Sequence, residues 1–193
     1  MIIGITGGTG SGKTTLLDMI RRQGGLVLDC DAIYHHLLET DTALLTAIDR
    51  QFPGCVENGT LDRKKLGAIV FADPQALEQL NAITHKAIRQ AVENALADAP
   101  QLVAIDAIAL FESRLDQLCS VTVAITAPED LRIHRLMARD GITAQYAKAR
   151  IAAQKPDSWF REKCDYCLEN SSDFQGFQEK CLDFLQNLGI MKE

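Results

Sequence analysis

At 193 residues the chain has room for one domain with a full core and a small mobile subdomain. Hydrophobic residues make up 47% and charged residues 24%, and aromatics are few, so a soluble core built mainly from Leu, Ile, Val and Ala is expected. The formal net charge of −6 argues against a general nucleic-acid binder but leaves room for an anionic small-molecule substrate, because a pocket needs only local cations.

The apolar start Met1–Ile5 is too short for a signal peptide, and no stretch approaches the ~18–20 apolar residues of a membrane span. A cytoplasmic protein with no membrane partner is the expectation. Ile2–Thr6 reads as a buried strand, followed by a glycine-rich turn and a helix over 13–23 that Gly24-Gly25 ends. A short second strand over 26–28 ends at Asp29 and Asp31. Helical pieces fill 32–99, with Asp62 as N-cap of a helix over 63–70 and Pro74 in the first turn of the next. The third strand, 102–105, runs into Asp106, and the fourth covers 121–125. Pro128-Glu129-Asp130 opens a helix, with acidic residues at its positive end. Asp140-Gly141 is a turn, 143–154 a helix, 166–168 a fifth strand leading to Asn170, and 173–188 a final amphipathic helix. The alternation predicts an α/β fold with a mainly parallel five-stranded sheet flanked by helices, in one domain spanning 1–193.

Gly7-Gly8-Thr9-Gly10-Ser11-Gly12-Lys13-Thr14 fits the G-x-x-x-x-G-K-[ST] phosphate loop, and it leaves an apolar strand to open a helix. Glycines let main-chain amides approach phosphate oxygens, and the helix start adds the positive end of its dipole. Lys13 brings a full charge to the β- and γ-phosphates, and the Thr14 hydroxyl is a Mg²⁺ ligand type. The motif points to ATP–Mg²⁺ and does not choose among ATPases, GTPases and kinases. No Asn-Lys-x-Asp guanine-reading motif is present.

Asp29 and Asp31 fall at the end of the second strand, on the sheet edge that also carries the phosphate loop. One of the two is expected to cap the following helix. The other, for which Asp31 is preferred, would orient an acceptor hydroxyl and take its proton. Leu102–Ile105 running into Asp106 has the form of a Walker B strand, which would put Asp106 beside Thr14 as a Mg²⁺ ligand.

The run Ile5-Thr-Gly-Gly-Thr-Gly-Ser-Gly-Lys-Thr-Thr15, with Leu28-Asp-Cys-Asp-Ala32, resembles the start of the dephospho-CoA kinase family. The stretch Asn58–Leu66 resembles its Gly-x-Leu-x-Arg-x-x-Leu segment, Val70-Phe71 its following pair, and Leu80–His85 its Leu-[Glu/Asn]-x-Ile-x-His segment. The resemblance covers most of the chain. It implies a P-loop kinase fold with a helical acceptor-binding region (about 32–99) and a helical lid (about 132–160). It also implies transfer of a phosphoryl group from ATP to the ribose 3′-hydroxyl of dephospho-CoA, with Asp31 facing that hydroxyl. The chain departs from the family at two points. Lys86 stands where a proline usually follows the histidine, and Ile108-Ala109-Leu110-Phe111-Glu112 stands where Pro-Leu-Leu-x-Glu is usual.

The loop residues Gly8, Thr9, Gly10, Ser11, Gly12, Lys13, Thr14 and Thr15 are therefore candidate nucleotide ligands. Arg63, Lys64, Lys65, His85, Lys86 and Arg89 gather cations between strands two and three. Arg63 and His85 are favoured as holders of the acceptor's pyrophosphate and the lysines as solvated surface, with Glu112 a further acidic candidate on the acceptor side. His35, His36 and His134 suggest no ligand. Arg132, Arg135 and Arg139 share a helix stripe: either a solvated face paired with Glu129 and Asp130, or a lid whose arginines clamp phosphates and exclude water. The family carries arginines at the positions of Arg135 and Arg139, and Arg139 is the preferred catalytic cation. Asn170 lies in a segment resembling the family's Asn-rich loop near adenine, and either a base-reading or a turn role suits it.

The six cysteines are expected as reduced thiols. Cys164-x-x-Cys167 with Cys181 begins a zinc pattern that lacks its second half, so small buried hydrophobes are the favoured reading. Other readings are a P-loop kinase of nucleosides or nucleoside monophosphates, or a non-enzymatic ATP-sensing module. A monomer or small homo-oligomer is expected.

Overall fold

The structure is a computed structural model that describes residues 1–190. Runs of Ile, Val and Ala with no charge until their last residue make strands buried on both faces, as a helix-covered parallel sheet requires. In chain order the elements are β1 (Ile2–Thr6), α1 (Lys13–Arg22), β2 (Leu26–Asp29), α2 (Cys30–Thr40), α3 (Thr42–Gln51), β3 (Val56–Glu57), β4 (Thr60–Leu61), α4 (Arg63–Val70), α5 (Pro74–Leu96), β5 (Val103–Asp106), a 3₁₀ turn (Leu115–Leu118), β6 (Val121–Thr126), α6 (Glu129–Asp140), α7 (Ala144–Ala152), α8 (Asp157–Lys163), β7 (Tyr166–Glu169) and α9 (Phe174–Asn187). The main sheet has the order β2-β5-β1-β6-β7, and β1 runs parallel to β5 and β6, as does β6 to β7. The mainly parallel five-stranded sheet is as the sequence predicts.

Helix starts follow the capping residues. The carboxylates of Asp29, Asp41, Asp62, Asp73 and Asp173 and the hydroxyl of Thr143 each accept from the first-turn amides of the helix they open. Pro74 sits in the first turn of α5 as expected. A hairpin and a short helix were among the elements not read from the sequence. Asn58 and Gly59 both have left-handed φ, 52° and 75°, and make the tight turn of the β3–β4 hairpin. The short helix α8 opens behind Pro156 and buries Phe160.

The described chain divides into two compact units. One comprises Met1–Leu28, Ala99–Leu110 and the chain from Leu115 onward. Its core packs Ile3, Ile5, Leu16, Ile20, Val123 and Ile125 against Phe177 and Phe184 of α9, with a satellite of Ile133, Leu136 and Ala147. The other comprises Asp29–Asp98 and Phe111–Arg114, and its core joins Leu38, Leu44, Ile48, Phe52, Leu66, Val70 and Leu80.

No disulfide links the six cysteines. Cys181 lies in the first unit's core, and burial pushes its thiol up to about 12. Burial does the same to Cys164, whereas the Cys167 Sγ lies 3.6 Å from the Thr126 hydroxyl. No group of His, Cys, Asp or Glu with metal-holding geometry occurs among the described residues.

Candidate active site

The phosphate loop lies where the sequence predicts, between β1 and α1, and every residue from Gly8 to Thr15 belongs to the loop or the first turn of α1. Gly12 is the N-cap of α1, with a left-handed φ of 99° and no side-chain cap. The Lys13 ammonium crosses the loop to donate to the Gly7 carbonyl at 3.0 Å. Ser11 Oγ is buried and has no hydrogen-bond partner among the described residues. Thr14 is exposed at the start of α1. Asp106 closes β5 in register with Ile5 of β1, one residue before the strand ends at Thr6, and the Thr6 hydroxyl donates to the Ile108 carbonyl at 3.2 Å. The carboxylate thus stands at the sheet edge from which the loop departs.

Behind the loop is a shell of buried polar side chains. Asn170 follows β7 and is only 5% exposed. Its Nδ2 donates to the Ser11 carbonyl at 2.8 Å, and its Oδ1 accepts from Arg135 at 3.1 Å. Arg135 also donates to the carbonyls of Gly10 and Ser11, at 3.3 and 3.2 Å, and burial pulls its guanidinium below the ordinary value. A Cβ on Gly12 would lie 2.2 Å from Asn170 Nδ2, so the glycine is required for this amide to reach the loop. The Asn170 amide thus bonds to the loop carbonyl and to Arg135.

The three arginines of α6 are not one solvated stripe. Arg132 is 4% exposed and bonded to the Thr9 carbonyl, Asp157 and Gln154. Arg139 is exposed and grips its neighbour Asp140 through two hydrogen bonds, at 2.7 and 3.0 Å. Arg150 of α7 reaches the same carboxylate at 2.6 Å. Hydrogen bonding from these two arginines holds Asp140 down at about 2, and Asp140 in turn raises Arg139. The acidic partners suggested by sequence, Glu129 and Asp130, give way to Asp140, the last residue of α6 beside Arg139, and to Asp157, which the chain after α7 brings back to Arg132. The roles of Gln154 and Asp157 were missed, since neither residue stands in a motif.

In the helical unit the two aspartates of the Asp-x-Asp pair differ in what they bond to. Asp29 is the N-cap of α2, its Oδ1 accepting from the amides of Asp31 and Ala32 at 2.9 and 3.0 Å. That leaves the exposed Asp31 carboxylate, in the first turn, outside the capping bonds. His85 of α5 and Glu112 come together: burial lowers the His85 pKa, and the Glu112 charge partly opposes the shift. Arg89, one helical turn on, donates to Glu93 at 2.9 Å and to the Arg114 carbonyl, which ties the 111–114 segment to α5. Arg63 is exposed at the start of α4, close enough to Tyr34 to offset part of the burial that raises that phenol.

Comparison with known proteins agrees with this arrangement. The profile described as Dephospho-CoA kinase matches residues 1–176. The chain belongs to the dephospho-CoA kinase family. It is 40% identical over 176 residues to the dephospho-CoA kinase of Anaeromyxobacter dehalogenans, covering 88% of this chain and 83% of that one. Among solved structures, a Thermus thermophilus protein is 35% identical with a TM-score of 0.80, covering 97% of each chain. The dephospho-CoA kinase of Campylobacter jejuni is 26% identical with a TM-score of 0.69, covering 98% of each. As a dephospho-CoA kinase family member, the chain is a P-loop transferase with an alcohol group as acceptor and acts in coenzyme A biosynthesis.

Proposed function

We propose that this chain moves the γ-phosphoryl group of ATP to the ribose 3′-hydroxyl of dephospho-CoA, giving CoA and ADP, with its residues in the following roles. The loop amides and Lys13 hold the β- and γ-phosphates. The partnerless Ser11 hydroxyl supports this reading: a buried hydroxyl left unbonded costs ~1–3 kcal/mol, and a phosphate oxygen is the partner its position calls for. Mg²⁺ fits an all-oxygen set, with the Thr14 hydroxyl and Asp106 as its protein ligands at the loop's edge of the sheet. When bound it supplies charge neutralisation to the phosphate oxygens.

Asp31 orients the acceptor hydroxyl and takes its proton late, as suits a loose phosphoryl-transfer transition state in which positioning outweighs base strength. Its neighbour Asp29 is already committed to the α2 cap. Arg63, His85 and Glu112 bind the acceptor, and the unit of residues 29–98 is its binding region. Arg135 supports the loop from the nucleotide side. Arg139 meets the developing charge when the segment over 132–160 closes, exchanging Asp140 for phosphate oxygens. The whole chain works as one kinase domain, in the cytoplasm, as a monomer or small homo-oligomer. No helix among the described residues is long and apolar enough to cross a membrane.

The observation that carries this reading is the phosphate loop, backed by Asn170 and Arg135, in a chain whose family match spans 1–176. An ADP-release assay with a panel of acceptors tests it. Turnover with dephospho-CoA is expected. Turnover with AMP or uridine and none with dephospho-CoA would overturn the assignment, and ATP consumption with water as sole acceptor would end it.

A further inference from the structure

The Thr9 peptide, in the middle of the phosphate loop, is held at both of its polar groups. Its N–H donates to Gln154 Oε1 at 2.8 Å, and its carbonyl accepts from Arg132 Nε at 2.9 Å. The two side chains are joined to each other, Arg132 Nη2 donating to the same Gln154 oxygen at 3.3 Å. Arg132 Nη1 donates to Asp157 at 3.1 Å, which gives the buried guanidinium its counter-charge. One guanidinium thus uses its planar fork to connect α6, the end of α7, α8 and the loop, a task the single ammonium of a lysine does not reproduce.

Gly8 bears on the same point. A Cβ there would lie 2.1 Å from Arg132 Nη2 and 2.7 Å from its Cζ. The guanidinium is tied at three corners and 4% exposed, so it has no room to retreat. Among the neighbours that would crowd a side chain at Gly8, the three nearest atoms all belong to Arg132. The glycine makes room for the arginine.

We propose that Arg132 is a positioning residue: with Gln154 it fixes the Thr9 peptide, and Asp157 neutralises it, so that the loop is set for a triphosphate before the triphosphate arrives. This rests on the reading of the loop as the ATP site. It predicts a selective loss. Arg132→Gln raises the Kd of ATP–Mg²⁺ by about tenfold or more, since it removes charge-assisted bonds to a buried peptide. The KM for dephospho-CoA stays within about twofold, as expected when only one substrate's site is disturbed. Gln154→Leu, which leaves the Arg132–Asp157 pair in place, shifts ATP binding in the same direction.

The decisive arm is a double-mutant cycle. Gly8→Ala weakens ATP binding strongly in the wild-type background and much less when combined with Arg132→Ala, because the clashing atoms are then gone. Titration calorimetry gives Kd, and steady-state kinetics gives the two KM values. If Gly8→Ala is equally damaging in both backgrounds, or if both KM values rise together in step with a falling melting temperature, Arg132 is merely structural and the proposal fails. A wild-type protein that does not bind ATP–Mg²⁺ removes both readings. One that binds while Arg132→Gln and Gln154→Leu bind equally well removes this one alone.

Discussion

The phosphate loop and the helical unit of residues 29–98 and 111–114 handle their polar side chains in opposite ways. Around the loop, Arg132 and Asn170 are buried, and each makes at least two hydrogen bonds to main chain or to another side chain. In the helical unit, Asp31 and Arg63 are exposed, and so is Glu112, while His85 is half-buried. A site meant for a small, rigid, highly charged group gains from being built in advance, because its dipoles then need no reorganisation. On the proposed reading, a longer and more flexible acceptor meets exposed side chains in the helical unit instead.

That contrast yields four expectations. The largest effect is at Asp31: Asp31→Asn lowers turnover by ~10²-fold or more while ATP–Mg²⁺ binding holds nearly constant. Asp29→Asn retains a good N-cap and loses far less. Kinetics on the pair of variants checks this, and equal losses would break the division of labour between the two carboxylates. Next, Arg139→Ala lowers turnover at least ~10-fold if that guanidinium meets developing charge. Its melting temperature hardly moves, because the Arg139–Asp140 pair is exposed and screened.

Asn170→Ala should show the reverse balance. It strips a buried carbonyl and a half-buried arginine of a partner, so it costs ~1–3 kcal/mol of stability, readable in thermal or denaturant unfolding, with weaker ATP binding alongside. The smallest effect is a pH slope. The His85 pKa is lowered by burial, so the unfolded chain takes up a proton near 6.5 that the folded chain resists. Stability therefore falls as pH drops below that value and levels off below the folded pKa. His85→Gln flattens the slope in melting temperature, and Glu112→Gln, which removes the opposing charge, steepens it.

The fold was legible because its signals are local: apolar runs for the strands, Asp and Thr caps for the helices, and the loop motif between them. The β3–β4 hairpin was legible too, in the left-handed pair Asn58-Gly59, but that pair was read only as part of a longer family segment. What sequence could not show is which partner each polar side chain finds. Arg132, Arg135 and Arg139 look alike on a helical stripe, yet one is buried against the loop's carbonyl, one bridges loop and Asn170, and one rests on the next residue. Gln154 and Asp157 carry no motif, since their contacts depend on a turn of chain returning to a helix. Which of Asp29 and Asp31 caps α2 likewise shows only in the bonds themselves.

The bond from Asn170 to the Ser11 carbonyl joins residues 159 positions apart. During synthesis the glycine-rich stretch emerges first, but its last strut is made only after the fifth sheet strand has left the ribosome. A nascent chain stopped before that point would display the motif in full and still lack part of the brace that holds it. The order of translation thereby delays completion of the nucleotide cradle until almost the entire enzyme exists.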